Sequence, residues 1–351
     1  MKVLLLGMNY ASTLNSLVPG FKAHSIEVKA LSFEQNRSVY NRFDQIDCVF
    51  PNSDLSFFAY KWKTIKGLFR LYASVKKADV IHVYSNLVLP TRYEQRILNH
   101  LFLKVARNKK KFVTYVGSEV RIPEMDFDTN PYYKKTYSNP DYEYSYESES
   151  CSFKHQQKFA DLGFELIGTP DTLHYMNPNY FKTDKVVFHA GVAEKGTKSE
   201  SSGEILVIHA PTAPIAKGSS YIREAMEKIC AKHPNVRFRE LQHLSNLEYQ
   251  HLINNCDIYI DQLIWGFHGV AAIQAMALEK PVLCYLHPEF LQYVSNPPII
   301  NSNPDNLPDQ LEALIANPEK LPEIGKRSRE YYLQFHTPEK VASQLIPYYS
   351  A

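Results

Sequence analysis

The sequence predicts an α/β protein with two successive doubly wound domains, each built on a parallel sheet. Short apolar runs alternate with helical patterns, as in βαβ units whose strands are buried on both faces. A polar stretch near the middle of the 351 residues separates two such series. A chain of this length also exceeds the usual size of one hydrophobic core.

Four buried strands are predicted in the first half of the chain. They are short apolar runs that end at glycine or polar residues, and they comprise residues 3–7, 79–85, 111–117 and 164–168. Amphipathic patterns predict connecting helices at residues 65–75 and 92–106. We therefore expect one domain over residues 1–188.

The alternating pattern restarts after a linker, residues 189–203, that is most polar from 194 onward. Strands and helices then alternate again. The predicted strands are 204–209, 236–241, 257–261 and 281–286, and the predicted helices are 219–232, 247–254 and 268–278. We expect a second domain over 204–335 and a C-terminal helix in 336–351 that packs back on the first domain.

Composition argues against several functional classes. Lys and Arg number 39 against 37 Asp and Glu, so a dedicated nucleic-acid partner is not expected. The five cysteines have no CxxC pair and the 13 histidines no HExxH spacing, so we expect no metal site and no protein-bound cofactor. The N-terminal apolar run is short for a signal peptide, and no run reaches the ~18 apolar residues of a membrane span, which favours the cytoplasm.

Ligands of open α/β sheets bind at the carboxyl ends of the strands, and two loops of the second domain stand out there. The first lies in residues 208–220, IHAPTAPIAKGSS, where a strand is followed by Lys217-Gly218 and a helix N-terminus. A lysine beside free backbone N–H groups suits a phosphate. The alternative is a solvated loop lysine before a capped helix.

The second loop follows the strand that ends at Asp261. It contains Gly266 and Gly269 and opens into an alanine-rich helix. Glycines let a ligand approach the backbone, and N–H groups near Gly269 can hold an oxyanion. The alternative is a tight turn with close helix–sheet packing.

Together, in this order and spacing, the two loops resemble the family-4 glycosyltransferases, which are retaining, nucleotide-sugar-dependent enzymes. The residues that carry the resemblance are Ala210-Pro211, Lys217-Gly218, Asp261-Gln262, Gly266, Gly269, Ala275-Met276-Ala277 and Lys280-Pro281-Val282. In the first domain, residues 116–121, VGSEVR, resemble the family's His-Gly-Ser-Asp-x-Arg segment. The resemblance covers most of the chain and is strongest from 204 to 290.

This resemblance implies the GT-B architecture, in which two Rossmann-like domains face a central cleft. It implies that the donor diphosphate lies against Lys217 and the glycine loop, and that Gln274 faces the ribose. Cationic and N–H groups would stabilise the leaving diphosphate in the transition state, without a side-chain nucleophile. The expected donor-binding residues are His209, Thr212, Lys217, Gly218, His243, Gly266, His268, Gly269 and Gln274. His209 and His243 also fit purely structural roles.

The sequence departs from the family pattern at the positions of four side chains. Gly266 and Gln274 stand where the family has two glutamates, and Val116 stands in place of the histidine. The loop before Lys217 also lacks the family's arginine, for which Arg121, Arg223 or His268 could substitute. A GT-B protein that binds a glycan or a partner without catalysis therefore stays an alternative.

Further candidates follow the strands of the first domain. The acceptor-side candidates are Gly7, Asn9, Tyr84 and Ser118, and the catalytic candidates are Lys217, Glu119 and Arg121. Asn9 can donate and accept hydrogen bonds, although an ordinary turn explains it equally well. Glu119 can orient a hydroxyl or act as a base, or it can pair with Arg121.

Two surface features suggest contacts with partners. Residues 61–111 hold 13 Lys and Arg and two acids, and within them 61–77 mix cations with large apolar side chains. Such a helix can lie on an anionic membrane, or its apolar stripe can pack on the sheet. Residues 122–150 contain six tyrosines and predict an irregular insertion that forms an acceptor-side wall or lid, a plain surface loop or an interface.

The resemblance to family-4 glycosyltransferases implies a hexosyl- or related glycosyltransferase. Its donor would be a nucleotide-diphosphate sugar, and its acceptor a glycan, a lipid-linked molecule or a protein. A lipid-linked acceptor would place the enzyme at the inner membrane face. A GT-B sugar-nucleotide epimerase or hydrolase, which needs no acceptor, is a further alternative.

Overall fold

The computed structural model describes most of the chain. The described residues are 1–33, 43–51, 55–84, 102, 104–143, 149–197 and 203–351. Within them the strands form two parallel sheets, which confirms the predicted α/β class. The predicted helix 92–106 falls mainly outside the described residues, as do linker residues 198–202.

Two compact units divide the chain. Unit 1 comprises residues 1–121, 147–189 and 338–351, and unit 2 comprises residues 122–146 and 190–337. The tyrosine-rich insertion thus groups with unit 2, although the sequence boundary at 188 placed it in the first domain. The C-terminal residues 338–351, which the sequence predicted to pack back on the first domain, group with unit 1.

The sheet of unit 1 contains six strands within the described residues. They are β1 (Lys2–Gly7), β2 (Glu27–Ser32), β3 (Asp47–Cys48), β4 (Val80–Tyr84), β5 (Lys110–Thr114) and β6 (Glu165–Leu166). Their order is β3-β2-β1-β4-β5-β6, so the strand order reverses between β1 and β4. The sequence pattern did not reveal β2 and β3, because the first half of β2 is solvent-exposed and β3 has two residues.

The sheet of unit 2 contains five strands in the part of the chain that the structure describes. They are β7 (Ile205–His209), β8 (Val236–Glu240), β9 (Ile258–Ile260), β10 (Val282–Cys284) and β11 (Ile300–Asn301). The order β11-β10-β9-β7-β8 places its reversal between β7 and β9. Its core is aliphatic, with Val207, Ile258 and Leu283 buried in one cluster with helix residues such as Ile222 and Leu311.

Helices cover and connect the strands. In chain order they are α1 (Thr13–Ala23), α2 (Phe57–Lys77), α3 (Pro131–Tyr137), α4 (Glu149–Asp161), α5 (Pro214–Lys217), α6 (Ser219–Lys232), α7 (Asn246–Asn255), α8 (Val270–Ala277), α9 (Pro288–Leu291), α10 (Leu307–Ile315), α11 (Leu321–Phe335) and α12 (Pro338–Ser350). Short 3-10 turns lie at Tyr10–Ser12, Pro123–Asp126, Leu173–Tyr175 and Pro318–Lys320. No helix of the described part is long and apolar enough to cross a membrane.

A buried hydrogen-bond chain fastens α12 to the sheet of unit 1. The Tyr349 hydroxyl lies 2.5 Å from His82 Nδ1, and His82 Nε2 lies 2.8 Å from the Thr114 hydroxyl. The Thr114 hydroxyl donates in turn to the Ile167 carbonyl oxygen, 2.6 Å away, so the donors run in one direction from Tyr349. Burial lowers the pKa of His82 to about 3 and keeps this ring neutral.

Candidate functional site

The reversal of strand order in unit 2 coincides with the two loops that the sequence singled out. Residues 210–218 follow β7 and residues 261–269 follow β9, and β7 and β9 are adjacent strands at the switch point. Ligands of doubly wound sheets bind at this place because the two loops diverge and leave a crevice. We call these two loops the candidate donor site.

A buried ion pair joins the two loops. Lys217 Nζ lies 2.8 Å from Asp261 Oδ1, and the two side chains are 8% and 0% exposed. The Leu263 N–H also donates to the Lys217 carbonyl oxygen at 3.0 Å. Burial alone would raise the pKa of Asp261, but the Lys217 ammonium and a hydrogen bond from Gly269 outweigh it and lower the pKa. Lys217 therefore carries a charge balanced by Asp261.

The backbone amide of Gly269 is part of the same arrangement. It donates to Asp261 Oδ2 at 2.7 Å. The sequence predicted that this N–H holds a ligand oxyanion, and in the structure it donates to a protein carboxylate. Asp261 thus orients both the lysine and the start of α8.

His209 ends β7 and connects three elements from a fully buried position. Its Nδ1 lies 2.9 Å from the Ile260 carbonyl oxygen, which can only accept, so this nitrogen carries the proton. Its Nε2 then accepts from the Ser219 hydroxyl at 2.8 Å. Burial lowers the pKa of His209 to about 4, and the neutral ring holds β7, β9 and the first turn of α6 together.

Gln262 shapes the loop after β9 from within. Its Oε1 accepts from the backbone N–H groups of Ile264 and Trp265 at 2.9 and 2.6 Å. Its Nε2 donates to the Phe267 carbonyl oxygen at 2.5 Å. Because both ends of one buried amide are used, the loop is held in a single conformation.

Gly266 is required at the tip of that loop. Its φ of +83° lies in the left-handed region, and a Cβ there would stand 2.5 Å from His287 Cβ. No larger side chain fits without movement of the loop. The absence of a glutamate at this position, which distinguishes the chain from the family pattern, therefore has a steric cause.

The other predicted donor residues occupy different surroundings. Thr212 and His243 are exposed, and His243 follows the edge strand β8 with a φ of +56°. Gly218 separates α5 from α6 with a φ of +78°. The His268 ring is buried and stacks on Phe267, with 4.3 Å between ring centroids.

Gln274, predicted to face the ribose, is half-buried on α8. Its Nε2 donates to the Val192 carbonyl oxygen at 3.2 Å. The amide therefore links α8 to the segment that enters unit 2. In this geometry its side chain serves a structural contact.

The described part of the tyrosine-rich insertion packs on the candidate donor site. Asn130 Nδ2 donates to the Ile264 carbonyl oxygen at 2.7 Å, and the Tyr133 hydroxyl donates to the Trp265 carbonyl oxygen at 3.2 Å. The segment also forms α3, so the prediction of an irregular insertion is wrong for these residues. They support the loop after β9 in unit 2. The sequence suggested an acceptor-side wall or lid, a plain surface loop or an interface for this segment. Tyr144 and Tyr146 lie outside the described residues.

A carboxylate of the same insertion meets the turn before Lys217. Glu143 Oε1 and Oε2 accept from the backbone N–H groups of Ile215 and Ala216 at 2.6 and 3.0 Å. These N–H groups belong to the segment where the sequence predicted a phosphate. They are paired with Glu143 in the structure.

Three acceptor-side candidates lie at the switch point of unit 1. Gly7 and Tyr84 end the neighbouring strands β1 and β4, and the Met8 N–H donates to the Tyr84 carbonyl oxygen at 3.3 Å. Asn9 is buried, and its Oδ1 accepts from the Asn15 N–H at 3.2 Å. Its carbonyl oxygen therefore stabilises the first turn of α1.

A second group of polar residues follows β5 and β6. Ser118 is half-buried, and the Val116 N–H donates to Glu119 Oε1 at 2.6 Å. Burial raises the pKa of Glu119, although the Val116 hydrogen bond and Arg121 oppose the shift. Arg121 Nη2 lies 3.8 Å from Asp171 Oδ2, so Arg121 pairs with Asp171.

Asp171 is the centre of this group. His189 Nε2 lies 3.5 Å from Asp171 Oδ1, whereas Arg121 contacts Oδ2. Burial would raise the pKa of Asp171, but the hydrogen bond and charge of His189 and the charge of Arg121 hold it well below its usual range. The carboxylate therefore stays charged over the physiological pH range.

Several of these residues were not among the site residues that the sequence predicted. Asp261 and Gln262 carried a detectable signal, since polar residues directly after a buried strand point to a site. Asp171, His189 and Glu143 carried none, because their roles depend on partners far away in the chain. Within the described residues no cluster of His, Cys, Asp or Glu side chains could hold a metal ion.

No family model and no curated protein matches this sequence. Solved structures do match over the full chain. HepE of Anabaena, solved with UDP and glucose, matches with a TM-score of 0.60 at 12% identity over 100% of both chains. Sucrose-phosphate synthase of Thermosynechococcus elongatus matches with a TM-score of 0.59 at 13% identity, over 100% of this chain and 98% of the other.

The fold is GT-B. A UDP-N-acetylglucosamine 2-epimerase shares it, with a TM-score of 0.52 at 12% identity over 99% of this chain and 94% of the other. At these identities the likeness concerns the fold. In GT-B terms, unit 2 carries the candidate donor site, and unit 1 carries the polar groups after β1, β4, β5 and β6.

Proposed function

We propose that this GT-B protein is a hexosyl- or related glycosyltransferase that uses a nucleotide-diphosphate sugar and acts with retention. The observation that carries the proposal is the position of the two family-like loops, which flank the switch point of the second sheet. The acceptor would be a glycan, a lipid-linked molecule or a protein. The complex of HepE with UDP and glucose makes UDP sugars the first donors to test.

In this proposal Lys217 stabilises the leaving diphosphate. Its ammonium is held by Asp261 at the mouth of the switch point, so its position is fixed before the donor arrives. Negative charge grows on the diphosphate as the sugar–phosphate bond breaks, and a preorganised cation acts most strongly on that transition state. A bound diphosphate would share Lys217 with Asp261.

The contacts of Glu143 imply a competition. A phosphate that used the Ile215 and Ala216 N–H groups would have to displace this carboxylate. Glu143→Ala should therefore tighten nucleotide binding if the phosphate binds at this turn. Unchanged or weaker binding would locate the phosphate elsewhere.

On the acceptor side, Glu119 and Arg121 are the proposed polar groups. The raised pKa of Glu119 brings it closer to the range of a general base. The Asp171 carboxylate holds Arg121 from one side, which limits its movement. Asp171 is thus a positioning residue in this scheme.

Binding of nucleotides tests the donor site. UDP, GDP and ADP are added separately, and the rise in melting temperature is measured for the wild type and for Lys217→Met. We expect one nucleotide to stabilise the wild type and to have at least about tenfold weaker affinity for the variant, since a charge-assisted contact is lost. Lys228→Met is the matched control, because Lys228 is exposed and pairs with Glu224 along its own helix. Equal affinity in Lys217→Met would refute the role of this lysine.

A second candidate is a GT-B protein that binds a glycan or a partner without catalysis. It is favoured by one observation: Lys217, the Gly269 N–H and the Ile215 and Ala216 N–H groups all have protein carboxylates as partners. Absence of stabilisation by all three nucleotides would support it. Product formation without any acceptor would instead indicate an epimerase or a hydrolase.

A further inference from the structure

Helix α2 has an inner face that is fixed by close packing. Gly67, Leu71, Ser74 and Val75 are its buried residues. The backbone at Gly67 presses against the Val49 carbonyl oxygen so closely that a Cβ at Gly67 would clash with it. The rotation of the helix about its axis is therefore determined by unit 1.

A second apolar face points away from the protein. Its large side chains follow one another at spacings of four and three residues, so that they form one stripe along the helix. They are Phe58, Trp62, Ile65, Phe69 and Tyr72, and they are 82%, 60%, 46%, 72% and 46% exposed. The stripe extends over about 21 Å, the length of 14 helical residues. A water-facing helix surface normally carries polar side chains, so this stripe marks a surface that contacts a membrane or another protein.

Positive charge accompanies the stripe. Lys61, Lys63, Lys66, Lys76 and Lys77 are exposed on α2, and no acidic residue occurs between 57 and 77. Lys61 Nζ lies 4.4 Å from the centre of the Phe57 ring, and Lys66 Nζ lies 5.1 Å from that of Trp62. The cations thus lie beside the rings, where they can reach lipid phosphates while the rings enter the acyl region.

We propose that α2 docks on a bilayer that contains anionic lipids, with Phe58, Trp62, Ile65, Phe69 and Tyr72 inserted at the level of the headgroups and the lysines against the phosphates. The helix would lie in the plane of the membrane, because its other face is packed on unit 1. Membrane docking deepens the proposed function, because it would suit a lipid-linked acceptor. Only this link to the acceptor rests on the proposed function. Lipid binding itself requires no turnover.

An aromatic stripe flanked by lysines fits an anionic lipid surface better than it fits the same stripe of a second copy of the chain. A second copy of the chain would bring two lysine-rich helices together, and like charges oppose that contact. A bilayer instead supplies an apolar layer bordered by negative charge, the complement of α2.

Tryptophan fluorescence tests the insertion directly. The full-length protein is mixed with vesicles of phosphatidylcholine, with or without phosphatidylglycerol, and with lipids brominated on the acyl chains. We expect a blue shift and quenching by the brominated lipids only when phosphatidylglycerol is present. The signal should disappear in Trp62→Phe, since the other tryptophan, Trp265, belongs to unit 2.

Co-sedimentation with the same vesicles separates the apolar and the electrostatic contributions. Phe58→Ser/Phe69→Ser should lower the partition coefficient at least about tenfold, since the two rings that would enter the bilayer are lost. Lys61→Gln/Lys66→Gln should lower it about tenfold, as should an increase of salt from about 0.01 M to about 0.15 M. Leu247→Ser is the control, because Leu247 is 81% exposed on another helix and should have no effect.

The outcomes distinguish this proposal from the proposed function. Equal binding to neutral and anionic vesicles, or unchanged binding of the double phenylalanine variant, would overturn it. So would a lipid-free dimer that Phe58→Ser/Phe69→Ser converts to a monomer, because a second copy would then cover the stripe. Nucleotide-dependent stabilisation of the same samples is independent of these results and reports on the donor site alone.

Discussion

Replacement of Asp261 by Asn should destabilise unit 2 more than any exposed substitution, because it removes the carboxylate that pairs with the buried Lys217 ammonium. The two side chains are 0% and 8% exposed, and their atoms lie 2.8 Å apart. Breaking a buried ion pair from one side costs about 3–5 kcal/mol. Asn retains one carbonyl oxygen for Gly269 or Lys217, so we expect about 3 kcal/mol. In a unit of this size that lowers the melting temperature by roughly 6–12 °C.

Lys217→Met should show the complementary effect, with a distinct dependence on pH. In the wild type the pKa of Asp261 is lowered, so its contribution to stability is present above the unfolded pKa and declines as the pH falls. Without Lys217, burial dominates and raises the pKa of Asp261. The variant should then gain stability relative to the wild type as the pH is lowered from 7 towards 5.

A double-mutant cycle decides whether the pair exists. Urea unfolding is followed for the wild type, Asp261→Asn, Lys217→Met and the double variant, and the transition of unit 2 is compared. The double variant should lose at least about 1 kcal/mol less than the sum of the single variants, since both charges of the pair are then removed together. Additive single effects would refute the inferred ion pair.

Three further predictions concern the same unit. Gly266→Ala should cost about 1–3 kcal/mol more in unfolding free energy than Gly203→Ala. Both glycines have a positive φ, but a Cβ at Gly266 would meet His287, whereas a Cβ at Gly203 meets no described atom within 4 Å. Similar losses in both alanine variants would show that the loop yields. The pKa of His209 is lowered to about 4, so the wild type should lose on the order of 3 kcal/mol of unfolding free energy as the pH falls from about 6.5 to about 4. Urea unfolding at several pH values measures this slope, and His209→Gln should flatten it. An unchanged slope would mean that other groups cause it. Asn130→Ala should lower thermal stability by about 1–3 kcal/mol, because it leaves the Ile264 carbonyl oxygen buried without its side-chain donor, and a wild-type melting curve would contradict this contact.

The candidate site was partly predictable. Lys217 and the loop after β9 follow strands of the second sheet, and the strand–loop–helix pattern is local in the sequence. Their partners are not local, since Lys217 and Asp261 are 44 residues apart and Ile215 and Glu143 are 72 apart. The partner of Gln274 is likewise distant, since its amide donates to the Val192 carbonyl oxygen, 82 residues away in the chain.

For helix α2 the sequence left two interpretations open, a membrane surface and a stripe packed on the sheet. The amphipathic pattern could not separate them, since apolar residues occur on more than one face of the helix. The contact of Gly67 with Val49 turns one face inward and leaves Phe58, Trp62 and Phe69 exposed.

By itself the sequence determined the α/β class, the division into two sheets and most strands of unit 2, because hydrophobic periodicity and strand–helix alternation are local properties. Only the tertiary structure decided the order of the strands, which brings β7 beside β9 and β1 beside β4. It also decided which charges are paired, such as Asp261 with Lys217 and Asp171 with Arg121. Strand order and ion pairs depend on which distant segments become neighbours, and that information resides in the packing of the whole unit.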